Sequence, residues 1–97
     1  MLDKSSVSTI IKVIIEHQYL IIGPLALDQA NKVMGLNVSD GDDIKVNITD
    51  SDSKKVLSQV VSRFEELFGR ASIEVCKDAI KEIHPAVPAE ELPDILR

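Results

Sequence analysis

Two glycines 46 residues apart, each inside a stretch of helically spaced apolar residues, constrain this chain more than any other feature of its sequence. Gly23 interrupts the stretch 10–34, and Gly69 interrupts the stretch 56–80. At this offset the flanking apolar residues align without a gap. The aligned pairs include Ile10 with Val56, Ile11 with Leu57, Ile14 with Val60, Ile15 with Val61, Ile21 with Leu67 and Ile22 with Phe68. The pattern predicts two helix–Gly–helix repeats, related by approximate twofold symmetry.

The two glycines predict a break in the helix on different grounds. Gly23 precedes Pro24, which lacks an amide hydrogen and disfavours a helical conformation in the residue before it. At Gly69 the break follows from the repeat alone, and the alternative is one continuous helix over residues 55–83. The repeat itself has an alternative, because any two amphipathic helices can be shifted into partial agreement.

The segment between the repeats changes from helical spacing to alternation. Residues 36–48 contain apolar positions two apart around Gly41, which is typical of two short strands joined by a turn. The run IIKVII near the start of the chain is also compatible with a buried strand, but its length and its second copy favour a helix. The sequence therefore predicts an α+β, mostly helical fold in the order ααββαα. One globular domain is expected over residues 1–85, followed by a proline-containing C-terminal tail, 86–97.

Local signals suggest where the helices begin and end. Ser5 and Ser6 are suitable N-caps for the first helix, and residues 49–53 form a capping cluster before the third. Gly35 is the expected end of the second helix and His84-Pro85 that of the fourth. Apolar positions expected to face the core in the second and third helices are Ala26, Leu27, Ala30, Val33, Met34, Val56, Leu57, Val60, Val61, Phe64, Leu67 and Phe68.

Charge and cysteine content exclude several classes of function. The net charge is −5, and Lys and Arg form no basic cluster, so we expect no binding to nucleic acid or to anionic membranes. The longest apolar stretch, 19–26, is too short to span a bilayer. Cys76 is the only cysteine, which rules out an internal disulfide and favours a reducing, cytoplasmic location.

No residue pattern predicts catalysis, a metal or a cofactor. Cys76 lies on an apolar helix face, where a small buried hydrophobe is the favoured interpretation and a thiol paired with His17 the alternative; His84 is two helical turns away. An acidic run could suggest a cation site, but it lacks the spacing and terminal glutamate of a calcium loop. Turn formation and helix capping explain it better. The run consists of Asp40, Asp42, Asp43, Asp50 and Asp52.

One resemblance is carried by the residues around the two glycines. IIGPLA and LFGRAS, each after an amphipathic helix, resemble the "IGPxA" phrase of small helical modules in prokaryotic signalling proteins. Those modules are largely uncharacterised and are not known to be enzymes. Arg70 stands where the phrase has proline, and the resemblance carries over no functional residues.

The predicted function rests on an excess of apolar residues around the first break. Five apolar residues there are more than one helix face can bury in so small a domain: Tyr19, Leu20, Ile21, Ile22 and Leu25. Because exposed apolar patches mark interfaces, the candidate interface residues are Tyr19, Leu20, Ile22 and Leu25. We therefore expect a non-catalytic protein-interaction or regulatory module that forms a homodimer. The alternative is a small-molecule-binding domain or an enzyme with a pocket between the repeats.

Overall fold

The computed structural model describes residues 3–40, 43–83 and 87–96. Within them, the chain forms four α-helices with a two-stranded antiparallel hairpin between the second and third, which confirms the α+β, mostly helical fold predicted from the sequence. The elements are α1 (Lys4–Ile22), α2 (Leu25–Ala30), β1 (Leu36–Asp40), β2 (Ile44–Ile48), α3 (Ser53–Phe68) and α4 (Ala71–Ile80). Two short 3-10 turns, Ala89–Glu91 and Asp94–Leu96, follow.

Both glycines end a helix in the same way. Gly23 has φ 69° and ψ −151°, and Gly69 has φ 84° and ψ −175°. This region of backbone space is accessible almost only to glycine. The amide of each glycine still donates to the carbonyl four residues back, Tyr19 or Glu65, at 2.8 Å. Both predicted breaks are confirmed.

The helix after each glycine also restarts in the same way. The Gly23 carbonyl accepts from Ala26 N at 3.0 Å, and the Gly69 carbonyl accepts from Ser72 N at 3.1 Å. We call α1 with α2 the first unit and α3 with α4 the second unit. The units differ in length at their C-terminal ends, since α2 stops at Ala30 whereas α4 continues to Ile80. Aligned at the glycines, α4 is therefore one turn longer than α2.

The core forms where the two units cross. α1 packs extensively along α4, whereas α2 makes a smaller contact with α3, and each helix also packs on the other helix of its own unit. Both helices of each unit thus touch the other unit, although the two cross-unit contacts are unequal. α1 and α3 also contact each other, and their central apolar faces are the most completely buried part of the chain. These residues are Val7, Ile10, Ile11, Ile14, Ile15, Val56, Leu57, Val60, Val61 and Phe64.

The hairpin covers the first unit. Its register pairs Leu36 with Ile48, and both side chains are buried against the helices. Asn31, which follows α2, fixes β1 through two hydrogen bonds: its Nδ2 donates to the Val38 carbonyl at 2.9 Å, and its Oδ1 accepts from Val38 N at 2.7 Å. These bonds tie β1 to the end of α2, and β2 packs on α1. The turn residue Gly41 lies outside the described residues.

Several predicted helix ends were wrong. Asp3, not Ser5 or Ser6, caps α1, because its carboxylate accepts from Ser6 N at 2.7 Å. The second helix ends at Ala30 rather than at Gly35, and the intervening residues form turns that lead into β1. Because the helix does not reach Met34, that side chain is 84% exposed instead of buried. The predicted stop of the fourth helix, His84-Pro85, lies outside the described residues.

The C-terminal segment, defined here as residues 87–96, packs on the second unit. Its turn Asp94–Leu96 contacts both α3 and α4. Leu92 and Leu96 are buried in the core cluster. The sequence placed these residues in a tail beyond the domain, and the proposed boundary at 85 lies outside the described residues. The described part of this segment thus contributes to the core.

Candidate interaction surface

The last turn of α1 is apolar on every side. Residues 19–22 are four consecutive apolar residues, and successive side chains on a helix point about 100° apart. A helix that rests on a core with one face must therefore expose some of them. Leu20 is 85% exposed and Ile21 is 63% exposed. No element covers these two side chains in the part of the chain that the structure describes.

The predicted interface residues fall into two groups. Leu20 and Leu25 are exposed, Leu25 by 42%, whereas Tyr19 and Ile22 are half-buried and pack against the core. Ile21 was counted in the apolar excess but not among the candidate interface residues, although it is more exposed than Leu25. We name the exposed residues Leu20, Ile21 and Leu25 the α1–α2 corner. The run of four apolar residues was the signal that could have included Ile21.

The second glycine break has an apolar corner of its own. Leu67 is 45% exposed and Phe68 is 38% exposed, so placing these two residues on the buried stripe was wrong. They lie in the last turn of α3, where the break at Gly69 ends the helix. The Phe68 ring still stacks on the buried Phe64 ring, with centroids 6.4 Å apart.

The two corners differ in charge. No charged residue occurs in the ten residues 18–27, which surround the α1–α2 corner. By contrast, Glu65, Glu66 and Arg70 surround the second corner in sequence. The residues of the α1–α2 corner and their immediate neighbours in sequence are thus uncharged, although Glu16 lies one helical turn before Leu20.

Two buried glutamines join the helical units. Gln18 is 2% exposed, and its Nε2 donates to the Ser72 carbonyl at 3.4 Å and to Cys76 Sγ at 3.8 Å. Gln29, on α2, accepts from Arg63 Nε at 3.1 Å through its Oε1. Both contacts cross between units and fix their relative register. The sequence analysis missed both, although Gln18 lies four residues after Ile14 on the apolar stripe of α1.

Cys76 is buried, and its surroundings favour the neutral thiol. Burial raises the pKa of Cys76 to about 11, against a smaller lowering by the hydrogen bond from Gln18. A nucleophilic cysteine needs the opposite shift, towards the thiolate. His17, the long-range partner considered from the sequence, instead pairs with the Glu82 carboxylate at the end of α4.

The described members of the acidic run serve local structure. Asp43 pairs with Lys12 at 2.7 Å, and their hydrogen bond lowers the pKa of Asp43. Asp50 accepts from Asp52 N at 2.8 Å, and Asp52 caps α3 by accepting from Lys55 N at 3.1 Å. Asp42 and the side chain of Asp40 lie outside the described residues. Over the residues that are described, no group of three or more His, Cys, Asp or Glu residues is placed to hold a metal ion.

Two surface hollows lie on the second unit. One, of about 450 Å³, lies beside the first half of α3, and the other, of about 570 Å³, lies beside the Gly69 break and α4. Asp94 and Ile95 of the C-terminal segment line both. Neither hollow is the pocket between the repeats on which the ligand-binding or enzymatic alternative depends.

Comparison with protein-family models, with curated proteins and with solved structures finds no match to this chain. The resemblance of IIGPLA and LFGRAS to modules of signalling proteins therefore remains a prediction. A search of the described residues also finds no helix with the length and apolarity that crossing a membrane requires.

Proposed function

We propose that this protein is a non-catalytic interaction module that pairs with a second copy of itself through the α1–α2 corner. The observation that carries the proposal is the exposure of Leu20 and Ile21 in the uncharged stretch 18–27. Leu20 alone would be unremarkable, since single exposed apolar residues are common. Two of them beside Leu25 form a patch of the kind that marks an interface.

A second copy is the occupant that the charges favour. Two chains of net charge −5 repel each other over most of their surfaces. The α1–α2 corner reduces that repulsion because residues 18–27 are uncharged and Glu16 is the nearest carboxylate before them in sequence, and a twofold axis would place each corner against its equivalent. The second corner, beside Glu65 and Glu66, would bring like charges together in the same arrangement.

The size of the patch indicates a weak dimer. A standard interface buries about 800 Å² on each partner. Three side chains supply only the centre of such an area, with the half-buried Tyr19 and Ile22 at its edge. We expect dissociation in the micromolar range, which suits a regulatory or signalling module that must associate reversibly. The cytoplasm remains the expected location, because Cys76 is the only cysteine.

Substitution of Leu20 by glutamate tests the proposal without disturbing the core. Because Leu20 is 85% exposed, Leu20→Glu leaves the monomer folded but places two carboxylates in the contact. Truncation of a central contact residue costs about 2 kcal/mol or more, so the dimer dissociation constant should rise about 30-fold or more. Sedimentation equilibrium from about 1 to about 200 µM measures this change.

Met34 supplies a matched control at a different place on the surface. It is 84% exposed, and Met34→Glu makes the same change of charge after α2. We expect Met34→Glu to associate like the unmodified protein. An unmodified protein that remains a folded monomer over the whole concentration range would refute the proposal. Dissociation by Met34→Glu but not by Leu20→Glu would place the interface elsewhere.

A further inference from the structure

The C-terminal segment crosses a groove that it does not fill. Its residues Asp94 and Ile95 line the hollow beside the first half of α3 and also the hollow beside the start of α4. The turn that contains them, Asp94–Leu96, therefore lies between the two hollows, and we call it the bridge. About 450 Å³ remain on one side of the bridge and about 570 Å³ on the other. Both hollows are open to solvent rather than enclosed.

The bridge is anchored by two buried leucines four residues apart, and Val87 and Ile95 also pack against the core. Leu92 is 5% exposed and Leu96 is 3% exposed, and both belong to the core cluster. The segment has no α-helix or strand. Its two turns are each closed by a backbone hydrogen bond inside the segment, from Glu91 N to the Pro88 carbonyl and from Leu96 N to the Pro93 carbonyl. Elements with so little regular structure open more readily than the helices beneath them.

Charge complements the apolar contacts. The segment carries three acidic residues, Glu90, Glu91 and Asp94. The hollows on either side are lined by four cations, Lys54, Lys55, Arg70 and Lys77. Their other carboxylates are Asp52, Glu65 and Glu74, of which Asp52 caps α3 and Glu74 pairs with Lys77 at 3.6 Å. Apart from Asp94, this face thus carries one more positive than negative charge, in a chain whose net charge is −5.

We propose that this groove on α3 and α4 is a docking site for a short acidic segment of a partner protein with leucines four residues apart, and that the C-terminal segment occupies it as an intramolecular ligand. The chain's own residues 87–96 provide the chemistry of the partner: two leucine anchors, a proline between them and flanking carboxylates. In the closed chain the local concentration of this ligand is high, so a partner binds only to the fraction of molecules in which the segment has left. The site is therefore masked until a partner competes for it. The proposal does not depend on pairing through the α1–α2 corner.

A labelled peptide of residues 87–97, VPAEELPDILR, tests the proposal on the full chain. Leu96→Ala weakens the intramolecular ligand, so fluorescence anisotropy should show the peptide binding at least tenfold more tightly to this variant than to the unmodified protein. Leu36→Ala is the matched control, because Leu36 is also 3% exposed but lies on β1, away from the groove. It should lose stability without gaining peptide affinity. A peptide in which alanine replaces both leucines should bind neither variant.

Equal peptide affinity in Leu96→Ala and Leu36→Ala, with both variants folded by circular dichroism, would overturn the proposal. Native-state hydrogen exchange of the unmodified protein provides a test that needs no variant. The Leu96 amide should exchange by local opening, faster than the amides of α3, and exchange only through global unfolding would contradict a displaceable segment. A concentration-dependent dimer of Leu96→Ala that the free peptide dissociates would identify a second copy as the occupant and overturn the assignment to a different partner.

Discussion

Replacing Gly69 by alanine isolates the backbone contribution of the helix break. A Cβ atom at this position would have no atom within 4 Å, so the substitution creates no steric contact. What remains is the conformation itself, φ 84° and ψ −175°, which costs about 1–3 kcal/mol for a residue with a side chain. Alanine also restricts the unfolded chain, which returns about 0.4–1 kcal/mol. We expect a net loss of about 1–2 kcal/mol.

Thermal and urea unfolding followed by circular dichroism measure this loss. For a domain of this size, 1 kcal/mol lowers Tm by about 4–8 °C, so Gly69→Ala should melt about 4–16 °C below the unmodified protein. Gln59→Ala, at an exposed position of the same helix, is the control and should change the free energy of unfolding by less than about 0.5 kcal/mol. Gly23→Ala should cost about as much as Gly69→Ala, because Gly23 also has positive φ and no atom within 4 Å of its added Cβ.

A Gly69→Ala variant as stable as the unmodified protein would refute this reasoning. It would mean that the chain passes from α3 to α4 without needing the glycine-only conformation. Backbone chemical shifts of that variant would then be expected to show continuous helix through residue 69. A large loss at Gly23 with none at Gly69 would contradict the equivalence of the two units.

Cys76 should react with thiol reagents only slowly in the folded protein, because it is buried and its pKa is raised to about 11; rapid stoichiometric labelling would contradict this placement. Since the unfolded thiol ionises near 9 and the folded thiol near 11, stability is fully present below pH 9 and falls as pH rises between these values, by about 2 kcal/mol. Urea unfolding against pH should show this fall in the unmodified protein and lack it in Cys76→Ala. Asp52→Ala removes the cap of α3 and should cost about 1 kcal/mol, whereas Asp50→Asn keeps an acceptor for Asp52 N and should cost less; an equal loss would argue against the cap.

The sequence predicted those parts of the fold that depend on local conformation. Pro24 forces a helix break after α1. Because the two repeats align at their glycines, an equivalent break is predicted at Gly69. The hairpin followed from the alternation of Ile44, Val46 and Ile48, because period two is a property of the strand itself. These features need no knowledge of the neighbouring elements. They were therefore accessible from the residue pattern alone.

The sequence could not predict which residues of each apolar helix face are covered by neighbouring elements. Met34 and Leu67 continue the apolar spacing of their helices, but periodicity gives only the direction of a side chain and not the extent of the surface opposite it. Leu92 and Leu96 were assigned to a linker-like tail with a short amphipathic end because residues 86–97 contain two prolines, at 88 and 93. Their spacing of four was the available signal for burial on one side. Gln18 was overlooked because the buried face of α1 was defined by its apolar residues alone, and Gln18 is polar.

The packing of α1 on α4 has a consequence for how the chain is made. One part of the apolar face of α1 rests on α4, whose last residue, Ile80, is synthesised long after Ile22. At about 5–20 residues per second, α1 waits several seconds on the ribosome before its partner exists. During that interval α1 has only α2 and the hairpin to cover its apolar face, which includes Ile10, Ile11 and Ile14. The nascent first half is therefore a natural client for chaperones, and slower translation between α2 and α4 should lower the yield of folded protein.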